Sequence, residues 1–149
     1  MNRQVELGIH IGQAEHNFIS IDVLNRSYPT ANDFYDGNWL NVKVSVEAGG
    51  FRGMVTGQLR AEELASFQTD MEKLYRSLSG SVKFSTMENW MSLEITGDGK
   101  GLIACAGRVA DEYGHGNLLN FYLSFDQTYL PEILNDLQRA TSAFPVIGV

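Results

Sequence analysis

The clearest alternation of apolar and polar positions runs from Trp39 to Glu47, where Leu40, Val42, Val44 and Val46 alternate with Asn41, Lys43, Ser45 and Glu47. Strand side chains point to opposite faces in turn, so this pattern is a strand with one buried face. Ala48, Gly49 and Gly50 make a tight turn. The return strand then carries Phe51, Gly53, Val55, Gly57 and Leu59 on its inner side, which predicts an antiparallel hairpin. Glycine inside a strand weakens it unless a backbone must pass closely or the sheet must bend. Gly53 and Gly57 are therefore expected to make room for a helix or to allow strong curvature. After almost no connection the period becomes helical, with Leu64, Phe67, Met71, Leu74 and Leu78 spaced by three, four, three and four. Glu62 and Glu63 fall in the first turn, at the positive end of the helix dipole. Gly80 is the expected left-handed C-cap.

Weaker patterns flank this centre. Residues 4–11 place Val5, Leu7, Ile9 and Ile11 on one face, and Phe18 to Leu24 forms a second strand. Asn25 to Asn38 is a polar loop, long enough to carry function or to cover one end of a sheet. Val82–Thr86, Trp90–Thr96, Leu102–Ala110 and Leu118–Phe125 follow as strands, the last with Leu119, Phe121, Leu123 and Phe125 facing one way. A closing helix begins near Thr128 as N-cap, tolerates Pro131 in its first turn, and ends at Phe144-Pro145. Its stripe is Leu130, Ile133, Leu134, Leu137 and Thr141.

The resulting order is ββββαββββα. Short hairpin turns predict an α+β fold: one domain over residues 1–149, with a curved antiparallel meander sheet of about eight strands and two amphipathic helices. The two strand-to-helix units superpose with a shift of 66, placing Leu59 on Phe125, Leu64 on Leu130, Phe67 on Ile133 and Met71 on Leu137. Sequence identity between the units is slight, so the shared pattern of amphipathic helices accounts for the match more readily than an internal duplication does.

Charge narrows the function classes. The 149 residues carry a formal net charge of −7, which argues against nucleic-acid binding, where a basic stripe supplies the affinity. An acidic surface suits a basic partner protein, and it also simply keeps a protein soluble. The single cysteine, Cys105, lies in the apolar strand LIACAGRV and cannot form an internal disulfide. The N-terminal segment has early charges and no h-region, and no apolar run reaches membrane-spanning length. A soluble, cytoplasmic protein without membrane association is expected.

Catalytic patterns are sparse. His10, His16 and His115 share neither a zincin spacing nor a cysteine cluster, so neither metal nor cofactor is expected. No G-x-S-x-G elbow is present, and Asp98-Gly99-Lys100-Gly101 reads as a hairpin turn, not a phosphate loop. The pairs Asp111/Glu112 and Glu62/Glu63 read as solvated charge. The chain is therefore expected not to be an enzyme. Residues 33–39, DFYDGNW, support two readings: a turn at Asp36-Gly37 whose Phe34 and Trp39 cap the core, or a recognition loop of aromatic anchors with acidic neighbours.

Taken together, YDGNWLNVKVSVEAGGFRG, LRAEELASFQTDMEKLYRSLSG, MENWMSLEITGDGKG and FDQTYLPEILNDL resemble the WapI family of immunity proteins, from about Asp33 to Pro145. The resemblance implies a small cytoplasmic protein that neutralises the C-terminal domain of a contact-dependent toxin, a nuclease acting on tRNA. It implies no catalytic residues. A binder of a basic toxin domain would offer carboxylates, and the candidates are Asp33, Tyr35 and Asp36 in the loop with Glu62, Glu63 and Asp70 on the first helix. It would be a monomer or a homodimer. The competing readings are a small-ligand binder with a pocket between sheet and helices, and a structural or oligomerisation module.

Overall fold

A computed structural model describes residues 7–112 and 116–149, so Val5 of the expected first strand and His115 lie outside the described residues. The strands are β1 (Gly8–Gly12), β2 (Phe18–Arg26), β3 (Trp39–Ala48), β4 (Phe51–Arg60), β5 (Ser79–Ser85), β6 (Met91–Asp98), β7 (Leu102–Ala110) and β8 (Leu118–Asp126). The helices are the single turn α1 (Phe34–Gly37) and the amphipathic α2 (Ala61–Ser77) and α3 (Leu130–Ala143). The predicted order holds, with α1 added inside the loop before β3.

The eight strands form two sheets of four, β1-β2-β3-β4 and β5-β6-β7-β8, each an antiparallel meander. The continuous eight-stranded sheet is thus divided at its middle. The reason lies in the chain between β4 and β5: Arg60 ends the strand and Ala61 begins a helix of 17 residues, which carries the chain to a second sheet. Each meander ends in a helix, and α2 packs on α3.

The two inner faces meet. Ile9, Ile11, Ile19, Ile21, Val42, Val44 and Val46 from the first sheet join Leu93, Ile95, Ile103, Phe121 and Leu123 from the second in one buried cluster. Leu64, Phe67, Met71 and Leu74 of α2 and Leu130, Ile133 and Leu137 of α3 complete it. Cys105 is buried, and desolvation pushes its thiol up to about 12, so it packs as a small apolar group.

The strand glycines answer to the opposite sheet, not to a helix. A Cβ on Gly57 would come within 2.4 Å of the Trp90 ring, and one on Gly53 would meet Leu119 at 3.3 Å. Trp90 cannot give way freely, because it is buried and its indole N–H donates to the Gln58 carbonyl at 2.9 Å. Phe51, expected inside, is 69% exposed. The left-handed cap of α2 is Leu78 (φ 59) instead of Gly80. Because β5 already starts at Ser79, paired with Asp98, the cap falls two residues earlier than glycine placement suggests. Asp126, not Thr128, caps the final helical segment: its carboxylate accepts the Thr128 N–H at 2.8 Å, and a 3-10 turn over Gln127–Tyr129 leads into α3.

Helix α3 covers the outer edge of β1. The His10 backbone N–H donates to the Asp136 carboxylate at 3.0 Å, and Arg139 pairs with the same group. Desolvation raises the Asp136 pKa above its ordinary 3.8, against the lowering effects of the His10 N–H and Arg139. A folded pKa above the unfolded one means that the native state binds the proton more tightly. This group's contribution to stability is therefore full below 3.8 and is lost as pH rises through the raised value. Asp136→Asn keeps an acceptor for His10 but cannot titrate. Relative to that variant, the wild type is expected to gain thermal midpoint as pH falls from 7 towards 4. A constant difference between the two midpoints would contradict this.

Candidate functional site

The loop before β3 is held by charged and polar side chains whose positions come from the surrounding strands. Asp33 caps α1 by accepting the Asp36 N–H at 3.1 Å, which sets Phe34 inward and Tyr35 outward, 77% exposed. Asn38, wholly buried, donates to the carbonyls of Phe34 and Ile147 and accepts the Ile147 N–H, each at 3.0 Å. Arg26 of β2 donates to the carbonyls of Gly37 and Pro145, both at 2.7 Å, and lies over the Phe144 ring. The segment after α3 thus folds back onto the loop, and Gly37 has no Cβ because Ile147 occupies its place.

Arg60 joins this loop to α2. Its guanidinium donates to the carbonyls of Phe34 (2.7 Å) and Tyr35 (2.8 Å) and to the Glu62 carboxylate (2.5 Å). The side chain is 3% exposed and lies between the rings of Phe34 and Trp39, at 5.2 and 4.9 Å from their centroids. A planar cation with several fixed donors suits two carbonyls, a carboxylate and two rings at once. Sequence reasoning missed Arg60. The available signal was an arginine at the strand-to-helix junction, following a segment with two aromatics in need of a partner.

The core-capping reading of DFYDGNW is therefore met in part. Phe34 and Trp39 do pack inward, but against Arg60. Asp33, Tyr35 and Asp36 remain on the surface. Through Arg60 they adjoin the start of α2, where Glu62 and Glu63 are half-buried. Glu62 Oε1 is buried without a hydrogen-bond partner among the described residues. Glu63 accepts the Arg60 backbone N–H at 2.8 Å, and desolvation raises its pKa, with the neighbouring Glu62 charge adding to the rise. Two turns further along α2, Asp70 shares with Glu62 and Glu63 a shallow cleft of about 190 Å³ between α2 and β5. Phe67 and Phe84 line it, and Lys83 of β5 is its basic residue. Arg60 thus links the loop candidates to the helix candidates, its guanidinium donating to both the Tyr35 carbonyl and the Glu62 carboxylate.

Among the described residues, no group of three or more His, Cys, Asp or Glu could hold a metal ion. The larger depressions, lined by Glu94, Ala104, Ala106, Arg108 and Tyr122, lie on the open outer face of the second sheet. No helix among the described residues is long and apolar enough to cross a membrane.

A family model described as the Immunity protein WapI-like family matches residues 10–145. No curated protein sequence matches the chain. Among solved structures, the chain is similar to one titled as the structure of the plant transcriptional regulator PBF-2. The TM-score is 0.51 at 10% identity, covering 94% of this chain and 81% of that one. It is also similar to a chain from crystal structures of Trypanosoma bruciei MRP1/MRP2, with TM-score 0.47 and 13% identity, covering 91% and 83%. At such identity the likeness to PBF-2 is one of fold alone.

Proposed function

We infer, from the premise that the chain belongs to the WapI-like immunity protein family, that it binds and neutralises a basic toxin domain, a nuclease, without turnover of its own. The family match over nearly the whole chain carries this reading. The net charge of −7 supports it, because opposite potentials steer encounter and fix register.

We assign the first contacts to Asp33, Tyr35 and Asp36 on α1 and to Glu62, Glu63 and Asp70 along α2. Tyr35 is the exposed aromatic anchor, and interface energy concentrates in such residues.

Co-expression of this protein with the toxin domain encoded immediately upstream is expected to protect cells, and the two should co-elute on a sizing column. Asp36→Lys combined with Asp70→Lys reverses exposed or half-exposed charge without touching Arg60. It is expected to slow association at least about tenfold at low salt. Protection and complex formation that fail with the wild-type protein would overturn the immunity reading. Unchanged association of the double variant would move the interface elsewhere.

A further inference from the structure

Among the described residues, the second sheet ends at β8 in an unpaired edge. The Asp111 N–H donates to Asn117 at 3.1 Å and the Gln127 N–H to Gly101 at 2.8 Å, which fixes the alternation of the β7–β8 ladder. Its bonds fall at Val109–Leu119, Gly107–Phe121, Cys105–Leu123 and Ile103–Phe125. The N–H and C=O groups of Asn120, Tyr122 and Ser124 therefore point outward, and among the described residues nothing hydrogen-bonds to them. The stretch LLNFYLSF (118–125) has no charge and no proline, the devices that usually blunt an edge. Tyr122 is 78% exposed.

The first sheet continues one step beyond this edge. Along the inner side of β4, Gly57 lies under Trp90, which precedes β6, and Gly53 lies under Leu119 of β8. Phe51 is the next inner position outward, and it is exposed because the second sheet has no further strand to cover it. Ala48, its partner on β3, shares that shelf. Two copies paired antiparallel through β8 would set Asp126 of each near the Asp111 end of the other, so like charge disfavours a second copy there.

Asp111 and Asp126 bracket the edge. Hydrogen bonds from Asn117 and Thr128 hold these exposed carboxylates below the usual range, so both are charged at neutral pH. The complementary segment has an uncharged middle that alternates apolar and polar residues, with Lys or Arg at its ends.

We propose that β8 is a docking edge, to which the toxin domain adds an extended segment as a ninth strand, hydrogen-bonded to Asn120, Tyr122 and Ser124 and packed on Phe51 and Ala48. This rests on the immunity reading above and places a second contact on the partner.

The test uses the full chain with the toxin domain encoded immediately upstream. Amide exchange at Asn120, Tyr122 and Ser124 is expected to slow at least about tenfold in the complex. Tyr122→Pro removes an outward N–H and the exposed ring but no ladder hydrogen bond, so it should keep the circular dichroism spectrum while weakening binding at least about tenfold, whereas Tyr122→Ala, which keeps the N–H, should weaken it less. Ser124→Pro tests the same edge should Tyr122→Pro fold poorly. A complex that forms while these amides stay unprotected overturns the docking edge and leaves the immunity reading standing. No complex with the wild type removes both. A dimer of this chain that Tyr122→Pro abolishes also overturns the proposal, because the edge then belongs to a second copy.

Discussion

Phe67→Ala lowers stability by about 3–5 kcal/mol, the cost of deleting a large aromatic from a site that cannot collapse. Phe67 is 2% exposed at the middle of α2, and its ring lies 4.7 Å from that of Phe84 on β5. Helix α2 has no side-chain hydrogen bond from its N-cap, so its hold on the sheets comes chiefly from this buried face. For a chain of this size the thermal midpoint should fall on the order of 10 °C. The same substitution deepens the cleft shared by Glu62, Glu63 and Asp70. Phe67→Leu restores most of the volume and should recover more than half of the loss. An unchanged midpoint in the alanine variant would show that α2 is not anchored through this residue.

Arg60→Met is the second large effect. It removes the donor to two carbonyls, strips Glu62 of its partner and takes the cation from between Phe34 and Trp39. Breaking a fully buried pair costs about 3–5 kcal/mol, but Glu62 is 32% exposed and water offsets part of that. About 2–4 kcal/mol is expected. The distribution of the loss matters more than its size: amide exchange should rise first over residues 33–38, because Arg60 is their bridge to α2. Arg60→Lys keeps the charge but lacks the planar fork, and should behave closer to Arg60→Met than to wild type. Equal loss of protection throughout the chain would contradict the clamp.

If the clamp holds as described, Tyr35 and the carboxylates around it are presented by a braced surface. A binder so arranged loses little conformational freedom on association, which favours a tight complex. The open β8 edge differs in kind, since it offers backbone groups and a shelf instead of charge.

The sequence by itself determined the element order, the strand and helix faces, and the absence of a nucleophile motif. These depend on local periodicity, which the pleat and the helical turn impose on neighbours in the chain. It also pointed to the family and to the acidic candidates. It did not determine that the strands divide into two sheets, because pairing across α2 depends on where the helix carries the chain. Nor could it tell what Gly53 and Gly57 admit: a missing side chain signals close approach, but only tertiary structure names Leu119 and Trp90 as the groups approaching. Arg60 looked like one more polar residue at a strand end. Its role as a clamp exists only once Phe34, Tyr35 and Glu62 meet around it, through contacts that span up to 26 positions in sequence. Phe51 shows the same limit from the other side, since its period places it on the inner face while its exposure depends on where the opposing sheet stops.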